Sequence, residues 1–162
     1  RAELRGLTEA LNARQGRVYH PRCSAVLGDR GCGLSLDTSS FSHEIAVESC
    51  VEGRLFRFAD FPPFDSGWFE RGVLLVMDGP AEGLQAAIKS DLALPGGGRE
   101  VELWDGPALL PVSGDRVRLV AGCDKRAATC RLKFNNYINF RGFPHIPDES
   151  WLMAPQAGIR HG

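Results

Sequence analysis

Five cysteines are the residues of this sequence best suited to chemistry, and their spacing sorts them into two pairs and a single residue. Cys23 and Cys32 have eight residues between them, Cys123 and Cys130 have six, and Cys50 stands alone. Four thiolates from two separated loops are a ligand set for a structural zinc ion or an iron–sulfur cluster. A disulfide framework would need an oxidising compartment and would leave one thiol unpaired, and no export signal is visible in the sequence.

The residues around the paired cysteines suit deprotonated sulfur. Positive charge lowers the pKa of a thiol, and glycine lets a backbone N–H turn toward a sulfur atom. Both residue types are also common elsewhere in the chain, so this composition does not decide the question by itself. The basic residues are Arg22, Arg30, Lys125, Arg126 and Arg131, and the adjoining glycines are Gly31, Gly33 and Gly122.

The spacing favours a cluster over a single zinc ion. Zinc sites usually take cysteine pairs two to four residues apart, with tetrahedral sulfurs roughly 3.8 Å from each other. Positions seven apart in a helix rise about 10.5 Å, so Cys123 and Cys130 cannot share one zinc ion if both are helical. A cubane cluster spreads its ligands over several irons and tolerates a wider gap. A single zinc ion remains an alternative to the cluster if Cys123 lies in the turn before the helix.

Patterns typical of helices lie near both ends of the sequence. Residues 2–15 place leucines at the period of an amphipathic helix, and residues 23–40 are rich in turn formers, which is typical of a loop. Asp124–Tyr137 predicts a second helix with Asp124 as its N-cap. One face of that helix would carry Cys130, Phe134 and Ile138.

Between these segments the pattern changes to short strands bounded by glycine and proline. Val101 and Leu103 alternate with Glu100 and Glu102, as in a half-buried strand. Several short strands of this kind predict an antiparallel barrel or compact sandwich. The predicted runs are Glu44–Phe58, Trp68–Met77, Leu84–Leu94, Arg99–Trp104 and Arg116–Val120, of which Leu84–Leu94 is ambiguous between helix and strand.

The first of these runs separates Cys50 from the other cysteines. Alternation puts Ile45, Val47 and Val51 on one face and Cys50 on the other. Cys50 then lies between Glu48 and Glu52, whose charges raise the pKa of a thiol. It also lacks an adjacent glycine or basic residue. We therefore predict that Cys50 is not a ligand.

Length and charge set the broad class. The 162 residues are 43% hydrophobic with a formal net charge of −1, so there is no field to attract nucleic acid and no run long enough to be a membrane segment. The prediction is one α+β domain: residues 2–40 with a helix and the first cysteine loop, residues 42–121 as an inserted β unit, and residues 122–162 with the second cysteine pair, a helix and an irregular tail. Because the chain opens on Arg1, we expect it to be a fragment of a longer protein.

Two stretches resemble a family of phage tail proteins. They are the segment from Cys23 through Leu27-Gly28-Asp29 to Gly31-Cys32-Gly33, and the segment from Gly122-Cys123-Asp124-Lys125-Arg126 through Lys133-Phe134-Asn135-Asn136 to Asn139-Phe140-Arg141-Gly142-Phe143-Pro144. Both are similar to the baseplate hub, or tail-tip, proteins of long-tailed phages and of phage-like gene transfer agents. The cysteine spacing is also similar to that of the tail tip assembly protein of phage lambda.

The resemblance implies a cofactor, partners and a location. It implies a [4Fe-4S] cluster on Cys23, Cys32, Cys123 and Cys130, with zinc as the alternative metal, and it leaves Cys50 out. It also implies a structural protein without catalytic residues, assembled as a homotrimer between the distal tail protein and a central fibre or tip protein. Its place would be the tail baseplate of a virion or virion-like particle assembled in the bacterial cytoplasm.

Two other functions compete with this one. A zinc-stabilised intracellular binding module would use the same four cysteines. A cysteine-dependent hydrolase would pair Cys23 with His20 or Cys130 with His145 as nucleophile and base, although neither histidine lies in a recognised catalytic motif.

Overall fold

Seven antiparallel strands form most of the regular structure in the computed structural model, which describes residues 19–146. The helix predicted over residues 2–15 and the tail from residue 147 onward lie outside the described residues. The strands are β1 (Ser42–Ala46), β2 (Ser49–Val51), β3 (Leu55–Phe58), β4 (Val73–Val76), β5 (Gln85–Ala93), β6 (Arg99–Leu103) and β7 (Arg116–Val120).

The strands form one sheet that curls into a small barrel. The spatial order is β1-β7-β4-β5-β6-β3-β2, and every pairing is antiparallel. Only Val47 and Glu48 separate β1 from β2. The Val47 N–H donates to the carbonyl of Asp115, next to β7, and the Glu48 N–H donates to that of Arg57 in β3. The chain thus passes from one edge of the sheet to the other, and the predicted β-rich fold with a small antiparallel barrel is confirmed.

The strand boundaries differ from the predicted ones in places that have a local cause. The predicted run Glu44–Phe58 is three strands, because the chain bends after β1 and turns sharply at Glu52 and Gly53, whose φ angles are 51° and 69°. The ambiguous run Leu84–Leu94 is a strand, β5, with a bulge between Ile88 and Ser90.

The bend also reverses the faces predicted for Cys50 and Val51. Cys50 packs against the barrel core, whereas Val51 is 44% exposed. The pKa of the Cys50 thiol is raised, as expected, but burial is the main cause and not the flanking carboxylates.

The barrel interior is apolar, with one buried ion pair. Val101 and Leu103 point inward and are at most 1% exposed, which confirms the predicted alternation in β6. The core residues are Val47, Phe56, Phe58, Phe61, Phe69, Leu74, Val76, Ala81, Ile88, Val101, Leu103, Val117 and Leu119. The segment Phe61-Pro62-Pro63-Phe64 contributes to this interior, since Phe61 belongs to the core and Phe64 packs against it.

Arg99 occupies the same inward face of β6 and forms the buried ion pair with Asp91 of β5. Its Nε lies 2.5 Å from Asp91 Oδ1, and its Nη2 lies 2.6 Å from Oδ2. The guanidinium also donates to the carbonyls of Phe64 and Asp65, and the carboxylate accepts the N–H of Phe69. The pair therefore fastens the loop before β4 to the barrel.

The helix after β7 is shorter than predicted. Helix α1 spans Ala127–Leu132, and a 3-10 turn follows at Tyr137–Asn139. Asp124 is not the N-cap: its Oδ1 accepts the N–H of Arg126, which is itself the extended cap residue. At the other end, Lys133 is the cap residue, and Asn135, which lies beyond the helix, adopts a φ of 47°.

This early end separates the residues predicted to share one helix face. Phe134 is buried at 4% exposure, whereas Ile138 is 93% exposed. Within residues 19–146, no helix has the length and apolar character needed to span a membrane.

Two glycines allow the chain to cross itself at the base of the barrel. A β-carbon at Gly72 would lie 1.9 Å from the carbonyl oxygen of Val120, and one at Gly122 would lie 1.9 Å from that of Glu70. Any side chain at either position would collide with backbone. Gly122 is therefore needed for this close approach, and it delivers the next residue, Cys123, to the base of the barrel.

Candidate metal centre

The four paired cysteines lie around one small cavity beneath the barrel. Cys23 and Cys32 come from the loop before β1, Cys123 from the extended segment after β7, and Cys130 from α1. All four are partly buried. Cys50 lies in β2 and does not line this cavity. The structure thus brings together the four predicted residues and leaves out the fifth.

Hydrogen bonds, most of them between backbone groups, join the two cysteine-bearing segments. The Cys23 N–H donates to the carbonyl of Lys125 over 2.8 Å, and the Lys125 ammonium donates back to the carbonyl of Ala25 over 2.5 Å. Further along, the Phe143 N–H donates to the carbonyl of His20 over 2.9 Å. These bonds hold the ends of the β unit together.

The first cysteine loop is organised by Asp29. Its carboxylate accepts the N–H of Val26 over 2.9 Å and the N–H of Cys32 over 2.7 Å. Its carbonyl accepts the N–H of Gly33, which adopts a φ of 66°. The hydrogen bonds that the carboxylate accepts from the N–H groups of Cys32 and Val26 lower the pKa of Asp29. The sequence signal was an aspartate in a glycine-rich turn, where a carboxylate commonly caps the backbone that follows it.

Two of the sulfur atoms accept hydrogen bonds from backbone N–H groups. The Lys125 N–H lies 3.4 Å from Cys123 Sγ, and the Arg141 N–H lies 3.4 Å from Cys23 Sγ. Lys125 reaches its position with a φ of 66°. Hydrogen bonds of this kind stabilise negative charge on sulfur and accompany metal-bound thiolates.

The other two sulfur atoms contact Asn136. Its side-chain Nδ2 lies 3.5 Å from Cys32 Sγ, and its carbonyl oxygen accepts from Cys130 Sγ over 3.3 Å. The pKa of the Cys130 thiol is raised, first by burial and then by the charges of the three other cysteines of the cavity. Thiolates at all four positions would repel one another, and a positively charged metal group bound among them would offset that repulsion.

Of the basic residues noted near the paired cysteines, some line the cavity and others do not. Lys125 and Arg126 line the cavity, whereas Arg131 stacks over the ring of Tyr137 at 4.4 Å. Arg22 and Arg30 are exposed.

No cluster of three or more His, Cys, Asp or Glu side chains in the described part of the chain has the geometry to hold a single metal ion. The four cysteines nevertheless line one cavity.

The nucleophile–base pairs considered for a hydrolase are not formed in residues 19–146. His20 uses Nδ1 to accept the N–H of Arg22, and no hydrogen bond there joins His20 to Cys23 or His145 to Cys130.

Comparison with known proteins identifies the family of the chain. A family model described as "Phage conserved hypothetical protein BR0599" matches residues 67–150. The chain belongs to this phage protein family. A second model, "Baseplate hub protein, N-terminal attachment domain", matches residues 1–35. No curated protein sequence matches the chain.

A solved structure titled "Virion of native gene transfer agent (GTA) particle" contains a similar chain. The two are 49% identical, with a TM-score of 0.79 over 97% of this chain and 55% of that chain. The present chain thus spans about half the length of this relative. Together these matches confirm the expected resemblance to baseplate hub proteins of phages and gene transfer agents, and the expected location in a virion or virion-like particle.

Proposed function

We propose that this chain is a structural domain of a phage-type baseplate hub, in which Cys23, Cys32, Cys123 and Cys130 hold a [4Fe-4S] cluster. One observation carries the proposal: four cysteines from segments about 90 residues apart line a single cavity at the base of the barrel. A bound cluster would supply a covalent cross-link between the two segments, because a metal group that binds only the folded state adds its binding energy to folding.

The residues of the cavity fit such a group in three ways. Among residues 19–146, the side chains that line the cavity include four thiols and no carboxylate or imidazole. Three of the sulfurs already accept N–H donors, as metal-bound thiolates do. Lys125 and Arg126 line the same cavity, and their positive charge favours the thiolate form of the cysteines.

The family matches suggest what the cross-link would connect. Cys23 and Cys32 fall within residues 1–35, which match the hub attachment domain, whereas Cys123 and Cys130 fall within residues 67–150, which match the other phage family. A cluster shared by the four would therefore fasten an attachment segment to the body of the domain. We propose that it serves this mechanical purpose and that the chain catalyses no reaction.

The proposed partners follow from the hub assignment. We propose a homotrimer that contacts the distal tail protein on one side and a central fibre or tip protein on the other. The 49% identity to a chain of a gene transfer agent virion supports a role within a tail assembly. Crosslinking within purified particles, read by mass spectrometry, would test it: crosslinks to head proteins alone would overturn the assignment.

The cofactor is tested by purifying the chain without air and measuring visible absorption, iron, acid-labile sulfide and zinc. We expect a brown protein with iron and sulfide in equal amounts. Zinc in place of iron would support the zinc-stabilised binding module. A protein that contains neither iron nor zinc would overturn the proposal.

The ligand set is tested by changing each cysteine to serine. Cys23, Cys32, Cys123 and Cys130 should each be required for iron and colour, whereas the matched control Cys50→Ser should keep both. A colourless Cys50→Ser protein beside a brown Cys23→Ser protein would show that the ligand set is wrong.

A further inference from the structure

We infer that Asn136 is the positioning residue of the four-cysteine site and that its amide tunes the electronic properties of the group bound there. This inference rests on the proposed function. Asn136 is the N-cap residue of the 3-10 turn Tyr137–Asn139, yet its side chain makes no capping hydrogen bond to that turn. An asparagine at a helix N-cap normally accepts a backbone N–H from its own helix.

The amide of Asn136 is buried and its hydrogen-bonding capacity is used across the cavity. The residue is 8% exposed. Nδ2 donates to the carbonyl of Cys32 over 2.7 Å and lies 3.5 Å from Cys32 Sγ, while Oδ1 accepts from Asn139 Nδ2 over 2.7 Å. An amide has two N–H donors and one carbonyl acceptor, so this set of partners satisfies it.

The orientation of this amide follows from its partners. The carbonyl of Cys32 can only accept a hydrogen bond, so the group 2.7 Å away must be the nitrogen of Asn136. The second hydrogen on that nitrogen is then directed toward Cys32 Sγ. With the amide reversed, Oδ1 of Asn136 would face the carbonyl oxygen of Cys32, and its NH₂ group would face the NH₂ group of Asn139.

The backbone of Asn136 holds the opposite side of the cavity. Its N–H donates to the carbonyl of Cys130 over 2.9 Å, and its own carbonyl lies 3.3 Å from Cys130 Sγ. One residue therefore contacts a cysteine from each segment, Cys32 from the first loop and Cys130 from α1. In residues 19–146 it is the one residue whose side chain donates to a cysteine sulfur.

A side-chain donor to sulfur has an electronic consequence as well as a structural one. Hydrogen bonds to the sulfurs and local charge set the reduction potential of an iron–sulfur cluster. Asn136→Asp keeps the shape of the side chain, removes both donors and places a carboxylate beside Cys32. The oxidised cluster should be favoured, which means a lower midpoint potential.

The test uses the anaerobically purified chain and a matched control. Asn135 is the neighbouring residue and is exposed, and its φ of 47° is one that aspartate tolerates. Asn135→Asp therefore adds the same charge one residue away without touching a cysteine. We expect the midpoint potential of Asn136→Asp to lie below that of the wild type by clearly more than that of Asn135→Asp, with altered iron–sulfur stretching frequencies in resonance Raman spectra.

The outcomes separate this inference from the proposed function. A wild-type chain without iron would overturn the proposed function. A wild-type chain with a cluster, together with equal potentials and identical spectra in both variants, would overturn the role of Asn136 alone. If Asn136→Asp loses its cluster while its barrel stays folded and Asn135→Asp keeps a cluster, the positioning role is supported.

A second variant keeps the test decisive if Asn136→Asp does not fold. Asn139→Ala removes the donor to Asn136 Oδ1 and leaves the Asn136 amide free to rotate away from Cys32. We expect a smaller change of potential in a folded, iron-containing protein. An unchanged potential and unchanged spectra there would count against the inference.

Discussion

The barrel and the region beneath it are stabilised in different ways. We call the described residues 19–40 and 122–146 the cysteine lobe. All thirteen residues of the hydrophobic core lie between Val47 and Leu119, in the barrel. In the described residues of the cysteine lobe, Phe134 is the one buried apolar side chain. The four thiols lie where a hydrophobic core would otherwise be.

The difference shows how one chain can combine two sources of stability. The barrel removes large side chains from water, and burial of this kind is the main favourable contribution to folding. The described part of the cysteine lobe has one buried apolar side chain to set against the entropy of ordering its loops, and hydrogen bonds join its two segments. Such a segment needs a cross-link or a metal, as very small domains do.

The largest effect should come from breaking the ion pair inside the barrel. Asp91→Ala leaves the Arg99 guanidinium buried, at 1% side-chain exposure, without its carboxylate partner. Removing one member of a buried pair costs about 3–5 kcal/mol. Urea denaturation should therefore show a large loss in the free energy of unfolding, and the loop before β4 should loosen with it.

The control for this prediction is an exposed ion pair. Asp105 lies 3.7 Å from Arg54, with both side chains more than half exposed. Asp105→Ala should cost at most about 1 kcal/mol. Equal losses in the two variants would mean that the barrel does not depend on its buried pair.

The next effect should be confined to the cysteine lobe. If the proposed cluster is present, Cys123→Ser or Cys130→Ser should release α1 from the first cysteine loop. Hydrogen exchange should then rise sharply over residues 23–32 and 124–137 and little in β6 and β7, because the barrel keeps its own core. Cys50→Ser is the matched control, and wild-type protection in the lobe of the Cys123 or Cys130 variant would show that these thiols do not cross-link it.

The grouping of the cysteines and the strands of the barrel could be predicted because each leaves a local sequence pattern. The cysteines show paired spacing, and the strands show alternation of apolar and polar residues. Alternation in β6 and β7 survives in the structure, since both strands are flanked by partners along their length. The same alternation indicates Arg99, which shares the inward face with Val101 and Leu103. Its partner, Asp91, lies in the run Leu84–Leu94, which the sequence leaves ambiguous between helix and strand, so the sequence alone does not pair the two residues.

Local backbone conformation and long-range contacts account for the rest of what the sequence did not predict. Helix α1 ends at Leu132 and Asn135 beyond it is left-handed, whereas helix periodicity alone continues past both residues. The face of Cys50 depends on a bend that exists because β1 pairs with β7 while β2 pairs with β3. Asn136 donates to the loop carbonyl of Cys32 and contacts the sulfur of the same residue, and neither long-range contact follows from sequence spacing.

A smaller effect should come from the joint between the two regions. The Lys133 ammonium donates to the carbonyls of Trp68 and Gly122, and it lies 4.8 Å from the centre of the Trp68 ring. Burial lowers the pKa of this lysine. Lys133→Met keeps the length of the side chain and loses both hydrogen bonds, so we expect a loss of roughly 1–2 kcal/mol in the free energy of unfolding.

The control for the joint is Lys89, whose ammonium makes an exposed ion pair with Glu102. Lys89→Met should change stability by less than about 1 kcal/mol. If Lys133→Met is no more harmful than Lys89→Met, the lobe is fastened to the barrel by other contacts.

The smallest effect should be at Cys50, which belongs to the barrel although its residue type suggests the lobe. Its thiol packs against the hydrophobic core, and burial raises its pKa. Cys50→Ser should therefore keep the full iron and sulfide content and change stability by only about 1 kcal/mol, the order of cost for a hydroxyl at a partly apolar site.

The raised pKa of Cys50 also has a consequence for pH dependence. A pKa that is higher in the folded state favours folding while the thiol is protonated, and this contribution is lost as the pH rises through the folded-state value. Alkylation of Cys50 in the folded chain should accordingly speed up only at a pH above that at which an ordinary cysteine reacts. Fast alkylation at neutral pH, or loss of iron in the serine variant, would place Cys50 with the other four thiols and remove the distinction between the two regions.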